Sequence, residues 1–203
     1  MASAEMHMNR GEWDAALKDS HRLLALESWA VDTDDVLRWL RDADLKRGDY
    51  QAARLRYEKA YAVLLGPTPP TIDGSSWQAA IDVAPVLQAA GDRATASALL
   101  DSVEQFIRTI PRLGVAGYGI ADVQLHALRG DKAKALAALR EAERAGWRGP
   151  YWRYYRDVDA TLASIRNAPE FKAIFADIER DMARQRAELA ARPKDAPLEL
   201  ASR

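Results

Sequence analysis

The residue types able to do chemistry are few in this chain, and their spacing is unhelpful to it. The histidines are His7, His21 and His126, and no two of them stand at helical spacing. An HExxH pair, which sets two imidazoles on one helix face around zinc, does not occur. There is no cysteine, so thiolate metal sites and disulfides are excluded. Gly114-Val115-Ala116-Gly117-Tyr118-Gly119 is glycine-rich, as a phosphate cradle would be. It lacks the following lysine-serine or lysine-threonine and a preceding strand, so close packing or a loose helix start explains it better. No G-x-S-x-G elbow is present. Asp32, Asp34 and Asp35 cluster, but helix capping and the helix dipole account for such a group. No catalytic set, metal or cofactor is expected. The most unusual patch is Tyr151-Trp152-Arg153-Tyr154-Tyr155. Exposed tyrosine, tryptophan and arginine suit a binding hot spot; the same rings also suit a cap over the end of a helical stack, and the cap is the simpler use.

The elements that must position these residues are helices. Gly11-Glu12-Trp13, Gly48-Asp49-Tyr50, Gly91-Asp92-Arg93 and Gly130-Asp131-Lys132 each separate two amphipathic stretches. The glycines are 37, 43 and 39 residues apart. An alanine follows each by five residues: Ala16, Ala53, Ala96 and Ala135. Self-similarity at this period marks a helical array. Glycine ends one helix and the acidic residue caps the next. The small alanine lets the paired helices approach, and Tyr57, Leu100 and Leu139 fill the space between pairs. Gly66 to Pro70 is a firm break, and Pro85 inside a helical pattern should kink it or remove a hydrogen bond. Pro169 is placed to open the last helix, with Phe171, Ile174, Phe175 and Ile178 on one face. No segment shows strand-like alternation.

Bulk properties narrow the field further. The chain has 203 residues, 48% of them hydrophobic, and a formal net charge of −1. Disorder is not expected, and there is no field to attract nucleic acid or anionic lipid. No run approaches the ~18 apolar residues that span a bilayer, and Met1 to Arg10 has no signal-like apolar core. A cytoplasmic setting is expected, or a periplasmic one if the segment belongs to a membrane-anchored regulator. Only ten residues precede Gly11, so the first helix is expected to be a stub, or the chain a piece of a longer protein.

Gly48-Asp49-Tyr50-Gln51-Ala52-Ala53, with Ala60 twelve residues after the glycine, resembles the turn and second helix of a tetratricopeptide repeat. Leu23, Val103 and Ala142 occupy places equivalent to Ala60. The first-helix signature is weaker: Leu37, Leu40 and Asp44 stand where tryptophan, leucine-glycine and tyrosine are usual. The spacings exceed the family's ~34 residues, so half-a-tetratricopeptide or other α-solenoid relatives fit the same residues. Ala145-Gly146-Trp147-Arg148, Leu162 and Asn167-Ala168-Pro169-Glu170-Phe171-Lys172-Ala173-Ile174 resemble the closing segment of bacterial arrays joined to winged-helix regulators, cyclases or kinases.

The resemblance implies an all-α fold: an α-solenoid of stacked antiparallel helix pairs in a right-handed superhelix. About four units would cover residues 1–146, capping helices 147–190, and a polar, disordered tail 191–203. It further implies a peptide-binding groove along the first helices, lined by Arg38, Asp42, Lys46, Gln78, Ile81, Gln88 and Gln124. This lining lacks the lysine-asparagine clamp of chaperone-binding members. The expected function is a non-catalytic protein–protein interaction or sensory scaffold with a protein or peptide partner. Alternatives are a small-ligand-binding or enzymatic helical domain, and a homodimer pairing through the aromatic patch.

Overall fold

The computed structural model describes residues 2–25, 33–66, 71–114 and 116–193. Among these the secondary structure is helical, with no strand: α1 (Ala2–Arg10), α2 (Trp13–Ala25), α3 (Thr33–Arg47), α4 (Tyr50–Ala60), α5 (Trp77–Ala89), α6 (Arg93–Ile107), α7 (Ala121–Leu128), α8 (Lys132–Arg144), α9 (Trp152–Asp157) and α10 (Pro169–Ala191). Short 3₁₀ turns occupy Ala62–Leu64 and Ala160–Leu162. Asp32, Val115 and the tail 194–203 lie outside the described residues.

The glycine–aspartate pairs make the turns in the expected way. Gly48 has φ 76°, a conformation a Cβ disfavours. Its N–H donates to the Leu45 carbonyl at 3.1 Å, and the Asp49 N–H to the Asp44 carbonyl at 2.9 Å. The Asp49 carboxylate then accepts from the Ala52 N–H at 3.2 Å, opening α4. Asp92 and Asp131 do the same for α6 and α8, accepting from Thr95 and Lys134. One dipeptide thus satisfies orphan carbonyls of one helix and orphan amides of the next. A fifth turn of this kind stands at Gly146, where the Trp147 N–H donates to the Ala142 carbonyl at 2.9 Å.

Packing follows the pairing. α1–α2, α3–α4, α5–α6 and α7–α8 are packed hairpins, and α3–α5 and α5–α7 join successive pairs. Ala16, Ala53, Ala96 and Ala135 are all buried, as are Tyr57, Leu100 and Leu139. Ala60 is exposed, because α4 ends there. Pro85 is carried inside α5. α1, expected to be a stub, is a nine-residue helix that buries Ala4 and Met8 beside Val36, Trp39 and Leu40. α10 packs on α8 through Phe171, Ile174, Phe175 and Ile178, and runs on to Ala191.

The segment between α8 and α10 does more than cap the last hairpin. α9 contacts α1, and the 3₁₀ turn Ala160–Leu162 contacts α5 and α7. Tyr154 is buried with α1, α2 and α3, whereas Trp152, Leu162 and Ile165 complete the core of α7, α8 and α10. Residues 151–165 therefore tie the first hairpin to the last across the first helices.

Candidate functional site

That crossing gathers most of the buried charge among the described residues. On α3, Arg38, Arg41 and Asp42 share a face through spacings of three and four. α5 contributes Asp82 and α7 contributes Gln124. The crossing segment adds Tyr154, Asp159 and Thr161. Each of these side chains is at most 5% exposed.

Arg41 is the centre. Its Nη1 donates to Asp82 Oδ1 at 2.7 Å and to the Asp82 carbonyl at 3.1 Å. Its Nε donates to Asp42 Oδ1 at 2.7 Å and its Nη2 to Asp159 Oδ1 at 2.9 Å. Arg38 Nε reaches both Asp82 oxygens, at 3.1 and 3.0 Å, and its Nη1 reaches Asp35 at 2.6 Å. The Tyr154 hydroxyl donates to Asp42. Gln124 Nε2 donates to Asp159 Oδ2 and Thr161 Oγ1, both at 3.0 Å, and the Thr161 hydroxyl donates to Asp159 Oδ2 at 2.7 Å.

The electrostatics are loaded toward acid. Burial would push the Arg41 guanidinium down, but Asp42, Tyr154, Asp82 and Asp159 outweigh it and raise its pKa well above the usual value. Asp42 is pushed up to about 6, first by burial and then by the Asp159 charge, against the opposing pull of Arg41 and the Tyr154 hydrogen bond. Burial raises the Tyr57 phenol as well. Two buried donors beside this face, Tyr57 Oη and Trp39 Nε1, have no hydrogen-bond partner among the described residues.

Of the expected groove residues, Arg38, Asp42 and Gln124 meet in this network, and Ile81 is buried in the neighbouring core. Lys46 is exposed and Gln78 half-buried. Gln88 is half-buried, and its Nε2 donates to the Leu128 carbonyl at 3.0 Å, bracing α5 against the end of α7. The aromatic run does not form one surface patch. Trp152 is 2% exposed and lies in the core, while Tyr151, Arg153 and Tyr155 are half-buried. Tyr151 meets the Trp39 ring edge-on at 5.6 Å, and Tyr155 meets Trp147 at 5.8 Å.

Sequence reading missed Arg41, Asp82, Asp159 and Thr161 and gave Tyr154 no role of its own. A signal existed for Asp82: it stands alone in the apolar run Ala79 to Val86, where an unpaired carboxylate is untenable. Arg41 and Asp42 carry a similar signal among Leu37, Trp39 and Leu40.

A second concavity, about 320 Å³, lies between α6 and α7. Ile107, Ile110 and Leu125 form its apolar lining, with Arg112, Tyr118, Asp122 and His126 around them. Arg112 is held by both Asp122 oxygens, at 3.0 and 2.6 Å, and lies over the Tyr118 ring at 4.9 Å. Gly117 packs closely here: a Cβ on it would sit 2.5 Å from the Arg112 carbonyl. Among the described residues no group of three or more His, Asp or Glu side chains is placed to hold a metal. No helix among them is long and apolar enough to cross a membrane.

Fold and site together define an all-helical protein of packed hairpins, with a polar network enclosed under its own C-terminal segment. Comparison with known proteins returns no match to this chain, whether by family profile, by curated sequence or by solved structure.

Proposed function

We propose that the chain is a non-catalytic interaction scaffold of tetratricopeptide-like hairpins, belonging to a larger bacterial regulatory protein and acting in the cytoplasm. One observation carries this reading. The face of the first helices holds a chain segment, residues 151–165, by side-chain hydrogen bonds donated by Arg41 and Gln124 and one accepted by Asp42. Guanidinium, carboxylate and amide groups on helices are the means by which such a face would hold a partner's chain. The polar groups at the centre are matched to one another and enclosed, which suits recognition better than turnover.

Photo-crosslinking tests the proposal. A photoreactive residue at Lys46 or Gln78, at the accessible margin of this face, should give discrete protein adducts in cells expressing the chain. Absence of any protein adduct, together with a thermal shift of several degrees from a metabolite, would favour a small-ligand binder instead. The concavity around Arg112, Tyr118 and His126 is the observation favouring that second reading.

A further inference from the structure

The contact between residues 151–165 and the first helices buries an ionic network beside the apolar clusters that Trp152, Tyr154, Leu162 and Ile165 join. Three carboxylates (Asp42, Asp82 and Asp159) and two guanidinium groups (Arg38 and Arg41) are buried in it. A buried ionic network is a weak source of stability, since apolar residues of similar size often do as well or better; it is good at discriminating what it pairs with. The crossing segment is also an imperfect occupant. Trp39 packs against Tyr151, yet its indole N–H has no partner among the described residues.

The connections permit release. Residues 145–151 and 163–168 are non-helical, so residues 151–165 can leave without unwinding α8 or α10. α10 keeps its own seat on α8 through Phe171 and Phe175.

We propose that residues 151–165 act as an internal ligand, and that the face beneath them takes in exchange a partner segment of the same pattern. That pattern is an aromatic anchor in place of Trp152, a tyrosine two residues on, an aspartate five residues after that, and a hydroxyl residue and leucine in place of Thr161 and Leu162. The tyrosine hydroxyl is read by Asp42, the aspartate by Arg41 and Gln124, and the anchors by the apolar residues now covering Trp152 and Leu162. This inference rests on the first-helix face being the docking surface.

The test uses the full chain and a fluorescein-labelled peptide of residues 151–166. The Tyr154→Phe/Thr161→Val variant weakens the internal ligand and leaves the face intact. It should bind the peptide at least about tenfold more tightly than the unaltered chain. The same peptide carrying Asp159→Asn should lose about tenfold on that variant. Equal binding by both proteins, or indifference to Asp159→Asn, overturns the proposal. Should the double variant not fold, hydrogen exchange on the unaltered chain decides: amides of 152–165 must open below the global unfolding free energy, and exchange only by global unfolding overturns it. A concentration-dependent dimer of the double variant that excludes the peptide would assign the exchange to a second copy and overturn the partner claim. Crosslinked partners at Lys46 or Gln78 without peptide exchange would sink this inference and leave the scaffold reading standing.

Discussion

Arg41 of α3 and Asp159, just ahead of the last 3₁₀ turn, are 118 residues apart in the chain and meet at 2.9 Å with both side chains fully buried. The pair joins the second hairpin to the C-terminal segment, and through Gln124 to the fourth hairpin. It concentrates the long-range order of the fold in a few polar contacts.

Arg41→Met should destabilise the chain by about 3–5 kcal/mol, because Asp42, Asp82 and Asp159 would then be buried with too little positive charge. Urea unfolding followed by circular dichroism measures this. A loss below about 1 kcal/mol would show that the network is more hydrated than the geometry states.

Asp42 makes stability depend on pH. Its folded value of about 6 lies above the ordinary 3.8, so its contribution is fully present below pH 3.8 and is lost as pH rises through about 6. The groups facing it are Arg41 on α3, Tyr57 on α4, and Tyr154 and Asp159 of the crossing segment. The loss amounts to about 3 kcal/mol at most. Subtracting the Asp42→Asn profile from the unaltered one isolates it; parallel profiles between pH 4 and 7 would refute the assignment.

Trp152→Ala should cost about 3–5 kcal/mol, as for a large core side chain, whereas Arg153→Ala should stay within about 1 kcal/mol. Thermal unfolding separates the two. Near-equal, small effects would return Trp152 to the surface role that the aromatic run suggested.

Gly48→Ala should cost about 1 kcal/mol, because φ 76° is unfavourable for a Cβ although nothing stands within 4 Å of it. Gly117→Ala should cost more, since its Cβ would meet the Arg112 carbonyl at 2.5 Å. Gly74→Ala, with open space around it, is the neutral control. The ranking in denaturation midpoint is the check.

The paired helices and the turns between them were legible because each is written locally, whereas α9 was not. Gly48-Asp49, Gly91-Asp92 and Gly130-Asp131 announce themselves by spacing, and the packing alanines follow at a fixed offset. Pro169 opens α10 where a first-turn proline should. Arg38, Asp42 and Gln124 were assigned to one side of the fold through the resemblance to a tetratricopeptide array. What lies over them was not legible, because Tyr154, Asp159 and Thr161 come from a stretch with no clear period.

The chain's own order of residues thus determined the hairpins, since capping, turn geometry and apolar periodicity act over a few residues. Tertiary structure alone decided that residues 151–165 cross the first helices and enclose their charges. That choice depends on contacts between residues more than a hundred positions apart, a separation over which local capping and periodicity carry no information.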